Sequence, residues 1–482
     1  MKHLGLVVLT VAIVVPVWAQ EPPGSAESAG LVPKTSTIYV NAWAGDTDPR
    51  NNGSTESTGV AIASNGNIIV GWEDDGDDIF DYESVWTLFG PDGKAIIGAP
   101  RSYFKKDGSP TGPQHAWGPK IKANLFGSGI GMGATAFDLA LEIEELFDVN
   151  TVGGDPDVNA GDFPAVQLLT DDGAPIGIPL IGLTDEYAER DGDIRIGDWD
   201  YLSNGNIVIV GESRQEADLV DIYNGDATGK HPIYRILKPD GTEVVPVTLV
   251  SQVPVAGEMW HGVGVTQNGF AVRWASQGRT TVRIFDNDGN PKTGNIDIGQ
   301  LTGVEGTSQG GRGDGTGFHG NGVDTYVLVN SADADDVTGK EVYLTALKAD
   351  GSLKWTTVAS SDYLDTNADR VDCAVSADGA VLAVWTDNSG FGQAVALPLG
   401  RLFKADGTAL SGVRLSGAFY LSEVETLELA TSETRRPRAA WRGNTIAVVW
   451  ESQNSPDTAS RVVALRVFQA PAGTGVPDFV LY

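Results

Sequence analysis

Seven stretches of this chain are apolar on both sides of the strand each would form, and that constrains the fold more than any other feature. They are Asn67–Asp74 (NIIVGWED), Gly129–Phe137 (GIGMGATAF), Asn206–Ser213 (NIVIVGES), Phe270–Ser276 (FAVRWAS), Asp324–Ser331 (DTYVLVNS), Ala380–Asp387 (AVLAVWTD) and Thr445–Ser452 (TIAVVWES). A half-buried strand alternates apolar and polar residues; a continuous run such as Ile446-Ala447-Val448-Val449 needs cover on both faces. Several copies follow a tight-turn signal, as in Ser64-Asn65-Gly66, Ser203-Asn204-Gly205, Gln267-Asn268-Gly269 and Ala377-Asp378-Gly379. Asn-Gly and Asp-Gly supply the positive φ angles that short hairpins require.

A second element follows each copy: a strand and then an Asp-Gly hairpin. It reads LFGPDGKAI from Leu88, LLTDDGAPI from Leu168, ILKPDGTEV from Ile236, IFDNDGNPK from Ile284, ALKADGSLK from Ala346 and LFKADGTAL from Leu402. The seventh unit keeps its strand, Val462–Phe468, without the Asp-Gly turn. The units tile residues 57–470 and recur about every 63 residues, more than the roughly 40–50 of common propeller repeats. The surplus falls in insertions such as Glu142–Asp162 and Gln215–Lys230. Small sheets stacked radially bury both faces of each strand, whereas an antiparallel sandwich wets one face of each sheet. The expectation is therefore an all-β, single β-propeller of seven blades, with six or eight as alternatives. Its residues are 36–482, and Ser36–Trp43 (STIYVNAW) is placed as an outer strand of the last blade that closes the ring. Residues 20–35 are read as a flexible linker.

The repeat resembles that of bacterial secreted β-propeller repeat proteins, in which a turn-Gly-strand-Trp-Glu/Asp unit precedes a strand ending in Asp-Gly. Here Ser64-Asn65-Gly66, Trp72-Glu73 and Pro91-Asp92-Gly93 carry it, as do Ala377-Asp378-Gly379, Trp385 and Ala405-Asp406-Gly407. The resemblance implies architecture only. It lacks the residue order of a sialidase Asp-box.

Residues 1–19 have a basic start at Lys2, an apolar run from Leu4 to Val17 and a small residue at Ala19, which reads as an export signal too short to span a membrane. The product is expected outside the cytoplasm, extracellular or periplasmic, and monomeric. Its one cysteine, Cys373, lies in an apolar run and reads as a small buried hydrophobe. Lys and Arg number 33 against 64 Asp and Glu, for a net charge of −31, and −32 once Lys2 leaves with the signal. Such a field repels nucleic-acid phosphates and anionic lipid, so neither nucleic acid nor membrane is expected as a partner. With 41% hydrophobic residues and 12 Trp, disorder is not the reason for the charge.

In a propeller the innermost strand of each blade lines a central channel. The residues assigned to the start of those strands are Glu56, His115, Arg195, His261, His319, Arg370 and Arg438. Three of the five histidines are among them, each with an aromatic next to it or one residue away. A ring of His and Arg in an acidic protein focuses positive potential on the axis, suiting an anionic extracellular ligand such as an acidic glycan, or a protein ligand. Trp117 and Trp260 stand beside two of the histidines as stacking candidates. Trp72, Trp274, Trp385 and Trp450 recur at repeat positions and read as core.

Two alternatives accompany the binding reading. Three converging imidazoles could instead hold a transition metal for a lyase or hydrolase of acidic polysaccharide, an arrangement that resembles the metal-dependent propeller lyases of uronate sugars. A calcium-stabilised structural surface protein is the other. Its candidate ligands are Asp155, Asp157, Asn159 and Asp162, a run close to a calcium loop except that Gly161 is one place late and Val166 stands where the bidentate Glu belongs. Looser acidic runs occur at Asp46-Thr47-Asp48 and at Asp74 to Asp78. Gly306 to Gly310 fits a nucleophile-elbow pattern and Arg312-Gly313-Asp314 an adhesion tripeptide. Both lie in Gly-rich sequence without the flanking strand and helix an elbow needs.

Overall fold

A computed structural model describes residues 24–40, 54–75, 82–97, 101–102, 116–136, 163–181, 195–213, 231–252, 259–276, 278–304, 317–332, 341–360, 368–387, 397–410, 418–423, 434–452 and 462–471. They form seven separate sheets of four or five strands, one after another along the chain: a seven-bladed propeller. The innermost strands are Ser54–Ile62, Ala116–Ala123, Arg195–Tyr201, Met259–Thr266, Phe318–Gly320, Ala368–Val375 and Thr434–Arg442, for blades 1 to 7 in order. The seven apolar stretches of the sequence are the second strands, for example Ile68–Asp75 in blade 1 and Thr445–Ser452 in blade 7.

Burial explains their composition. Val60, Ile62, Ile68, Val70 and Trp72 of blade 1 pack against Ala447, Val449, Val463, Leu465 and Val467 of blade 7. Equivalent clusters join blades 2 and 3, 3 and 4, 4 and 5, 5 and 6, and 6 and 7. Trp72, Trp274, Trp385 and Trp450 are all core, with at most 2% of their surface exposed.

The hairpins behave as their residues require. After the third strands of blades 1, 3, 5 and 6, the carboxylates of Asp92, Asp240, Asp350 and Asp406 each accept the backbone N–H two residues on. The glycines that follow sit at φ between 76° and 86°.

The lost hairpin of the seventh unit has a topological reason. Among the described residues, Val32–Pro33 and Ile38–Tyr39 from the other end of the chain pair with Val462–Gln469, Val32 opposite Gln469 and Ile38 opposite Leu465. Gly24–Ser25 adds a fifth, parallel strand to blade 6 beside Phe419–Tyr420. Residues 24–33 are therefore part of the ring and not the flexible linker expected. Ala26 and Leu31 are buried in the blade 6–7 cluster, and Glu27 Oε1 pairs with Arg466 Nη2 at 2.9 Å. No helix among the described residues is long and apolar enough to cross a membrane.

The two ends of the channel differ. Where the innermost strands end, on the turn side, they join the second strands through two to six residues. On the mouth side, where they begin, the connections lengthen, up to 26 residues between Ala136 and Phe163.

Candidate functional site on the axis

Among the described residues, six innermost strands carry a bulge at one place, between Glu56 and Gly59, Trp117 and Lys120, Ile196 and Asp198, Met259 and Gly262, Asp369 and Asp372, and Arg435 and Arg438. A bulge bends the strand and re-aims its side chains. Three residues within these bulges, Gly118, Arg370 and Arg436, are held at φ of 65°, 53° and 53°. Each lies two residues before the bulge's end, so blades 6 and 7 hold arginine where blade 2 holds glycine.

Counting back from the hairpin with the second strands gives two levels below the bulge. The upper level holds Gly59, Lys120, Asp198, Gly262, Gly317, Asp372 and Arg438; the lower holds Ala61, Lys122, Asp200, Gly264, His319, Ala374 and Ala440. The charges form two equivalent relays, each running through three consecutive blades. In blades 2 to 4, Lys122 Nζ donates to Asp198 Oδ2 at 2.9 Å, and the backbone N–H of Val263 donates to the same oxygen at 3.0 Å. In blades 5 to 7, His319 Nε2 bonds Asp372 Oδ1 at 2.9 Å, and the N–H of Ala439 donates to Asp372 Oδ2 at 3.2 Å. Cation, carboxylate and amide come from matching register positions in both.

Burial sets the electrostatics. It opposes the charge on Lys122, yet Asp198 and Asp200 hold the ammonium above the ordinary lysine value. It likewise works to raise Asp372, but the His319 charge and hydrogen bond, with Arg438 nearby, keep that carboxyl below the ordinary range. Asp200 has no such partner. Burial, with Asp198 beside it and only partly offset by Lys122, pushes its pKa up to about 7.

Lys122, Asp200 and His319 face a cavity of about 90 Å³ on the axis. A second, of about 50 Å³, lies between it and the bulges; it is lined by Lys122 and His319 again, with Asp198, Asp372 and Arg438. Leu125, Trp441 and Arg442 floor the larger one on the turn side. Arg442 reaches from blade 7 to the carbonyls of Asn124 and Gly127 in the blade 2 turn, at 3.0 and 3.2 Å. The same turn sets Leu125 against Gly322 of blade 5. Blades 4 and 5 meet closely nearby: a Cβ on Gly264 would stand 2.8 Å from the Gly320 nitrogen, and one on Gly320 would collide with the Val265 carbonyl.

The residues read from the sequence as one ring do not share a level. His319 is three register positions nearer the hairpin than His261. His261 is 2% exposed and packs on Gly197, whose Cβ would lie 2.6 Å from the His261 Cβ. It thus sits between blades 3 and 4. Arg438 is buried beside Asp372, and Arg370 is half-buried at the bulge. The side chains of Glu56, Trp117, Arg195 and Trp260 lie outside the described residues, as do His115 and the calcium candidates Asp155, Asp157, Asn159 and Asp162. Among the described residues no group of three or more His, Cys, Asp or Glu is arranged to hold a metal. Sequence reasoning missed Lys122, Asp198, Asp200 and Asp372. Their signal was the alternation Lys120-Ile121-Lys122, Asp198-Trp199-Asp200 and Arg370-Val371-Asp372, charge at every second position.

No family profile matches the chain, and no curated protein does. Solved structures similar to it include a Dyadobacter fermentans protein of unknown function (14% identity over 92% of this chain and 99% of that one, TM-score 0.40). Two others are the polysaccharide lyase Uly1 (12%, 93% and 96%, TM-score 0.45) and a Penicillium chrysogenum alpha-L-arabinanase (8%, 90% and 98%, TM-score 0.41). Likeness at this level carries no argument about what this chain binds.

Proposed function

We propose that the protein is an exported binding propeller that takes an anionic ligand, an acidic glycan foremost, on the mouth side of its channel. The observation that carries this reading is the pair of arginines at positive φ. A left-handed conformation costs an L-residue about 1–2 kcal/mol, which glycine avoids, and blade 2 places glycine at the same bulge position. Arg436 uses its guanidinium in an ion pair with Glu451 at 3.1 Å. Arg370, half-buried at the matching bulge position of blade 6 and near the mouth end of its strand, is the group we assign to the ligand on the strength of its place and backbone conformation. His115, Trp117, Arg195 and Trp260, which the sequence sets near the same end, complete the proposed surface.

Arg370→Gly tests this directly. It relieves the strain and removes the charge, so unfolding should become harder by about 1 kcal/mol while affinity for uronate-rich glycans, read by calorimetry, falls at least tenfold. Unchanged glycan affinity in a stabilised variant contradicts the proposal.

One observation favours a second, catalytic reading: Asp372 bonds one ring nitrogen of an imidazole that lines the cavity, a pairing that suits a general base. Turnover of such glycans that is lost in His319→Gln while binding persists would establish it.

A further inference from the structure

Three side chains around the larger axial cavity keep hydrogen-bonding capacity that the described residues do not use. Asp200 is 6% exposed; one of its oxygens accepts the N–H of Tyr201 at 2.8 Å, and the other accepts nothing. His319 bonds Asp372 through Nε2 alone, leaving Nδ1. Lys122 gives one of its three N–H donors to Asp198. They come from blades 2, 3 and 5, and blade 4 contributes only Gly264 at that level. The cavity's 90 Å³ is far below the roughly 300–1,000 Å³ of sites that enclose a whole ligand, yet it has the volume of about three waters. It has room for a small polar group at the end of a larger molecule.

We infer that the larger axial cavity is a carboxylate subsite that fills together with one proton: the ligand carboxylate sits between Lys122 and His319, and Asp200 meets it as a carboxylic acid. This deepens the anionic-ligand reading and rests on it. The groups facing Asp200 are Lys122 from blade 2, Asp198 on its own strand and His319 from blade 5; Asp372 of blade 6 acts on Lys122. Arg442 on the floor is committed to carbonyl oxygens. A second carboxylate beside an ionised Asp200 would be repelled, whereas two carboxyl groups sharing one proton form a stable hydrogen-bonded pair. Burial already raises the proton affinity of Asp200, and an incoming anion raises it further. No covalent step is involved.

The test is calorimetric titration of the full chain with acetate and with glucuronate from pH 5.5 to 8.5, in two buffers that differ in ionisation heat. Binding should be flat at the acid end and weaken about tenfold per pH unit above 7, with up to one proton taken up. Asp200→Asn should bind with no pH dependence. Failure of acetate to bind, a flat wild-type profile without proton uptake, or a wild-type slope in Asp200→Asn each overturns the subsite. Proton uptake in wild type supports it even if the variant folds poorly. The two proposals fail separately. Glycan binding that is lost in Arg370→Gly but does not depend on pH leaves the mouth reading standing without the subsite. Acetate binding with proton uptake, but no glycan binding, does the reverse.

Discussion

Blades 2 to 4 and blades 5 to 7 build the same relay from different cations, and the contrast separates scaffold from chemistry. In both, a carboxylate on the middle blade is bonded by a cation from the blade before it and by a backbone N–H from the blade after it. That shared part ties three blades together. The variable part is the cation. Lys122 is held charged by the carboxylates around it, while His319, an imidazole 29% exposed, lines the cavity. The lysine relay also has Asp200 on the same strand as its carboxylate; the equivalent position after Asp372 is Ala374. The first half of the ring thus brings an ammonium and a raised carboxyl to the cavity, and the second brings an imidazole.

The largest expected effect breaks that symmetry. Asp198→Ala strands a buried ammonium and should destabilise by about 3–5 kcal/mol. Asp372→Ala at pH 8 should cost only about 1–3 kcal/mol, because the His319 it leaves is 29% exposed and water can replace the lost acceptor. Urea unfolding midpoints decide, and equal losses at pH 8 would erase the distinction.

Asp200→Asn comes next. The folded-state pKa of Asp200 is raised, so its favourable contribution is complete below the ordinary carboxylate value and disappears as pH rises through about 7. The variant should therefore be more stable than wild type at pH 8, by roughly 1–4 kcal/mol, and indistinguishable near pH 4. Thermal unfolding across pH reads this out; a constant difference at every pH would show that Asp200 does not titrate there.

The smallest effect concerns His319→Gln. Asp372 is held below its ordinary value, so the stability it contributes is present above that value and lost as pH falls through the lower folded one. Removing the imidazole should move acid unfolding to higher pH by a few tenths of a unit to about one unit. An unmoved acid midpoint would assign the depression of Asp372 to Arg438 and the Ala439 amide instead.

The blades were legible because burial on two faces writes an unbroken apolar run that nothing else explains, as in Ile68-Ile69-Val70 and Ile446-Ala447-Val448-Val449. Strands from the chain's other end pair with the seventh unit, which lacks the Asp-Gly turn. The axial site was not legible in the same way. Its charges lie on innermost strands, where the apolar signal is weakest, and a bulge that adds one residue shifts the register just before them. His261 and His319 look alike in Trp260-His261-Gly262 and Phe318-His319-Gly320, yet three register positions send one between blades and the other to the axis. The anchoring of Ala26 and Leu31 depended on contacts with residues more than 400 positions away, such as Trp441 and Phe468, which no local pattern encodes.

The most direct test of the axial arrangement is an infrared titration of the protonated carboxyl signal in wild type and Asp200→Asn. The relays as described require one carboxyl in the wild-type protein to remain protonated above pH 6 and to ionise near 7, and the variant to lack that step. A wild-type protein whose carboxyl groups have all ionised by pH 5 would contradict the account.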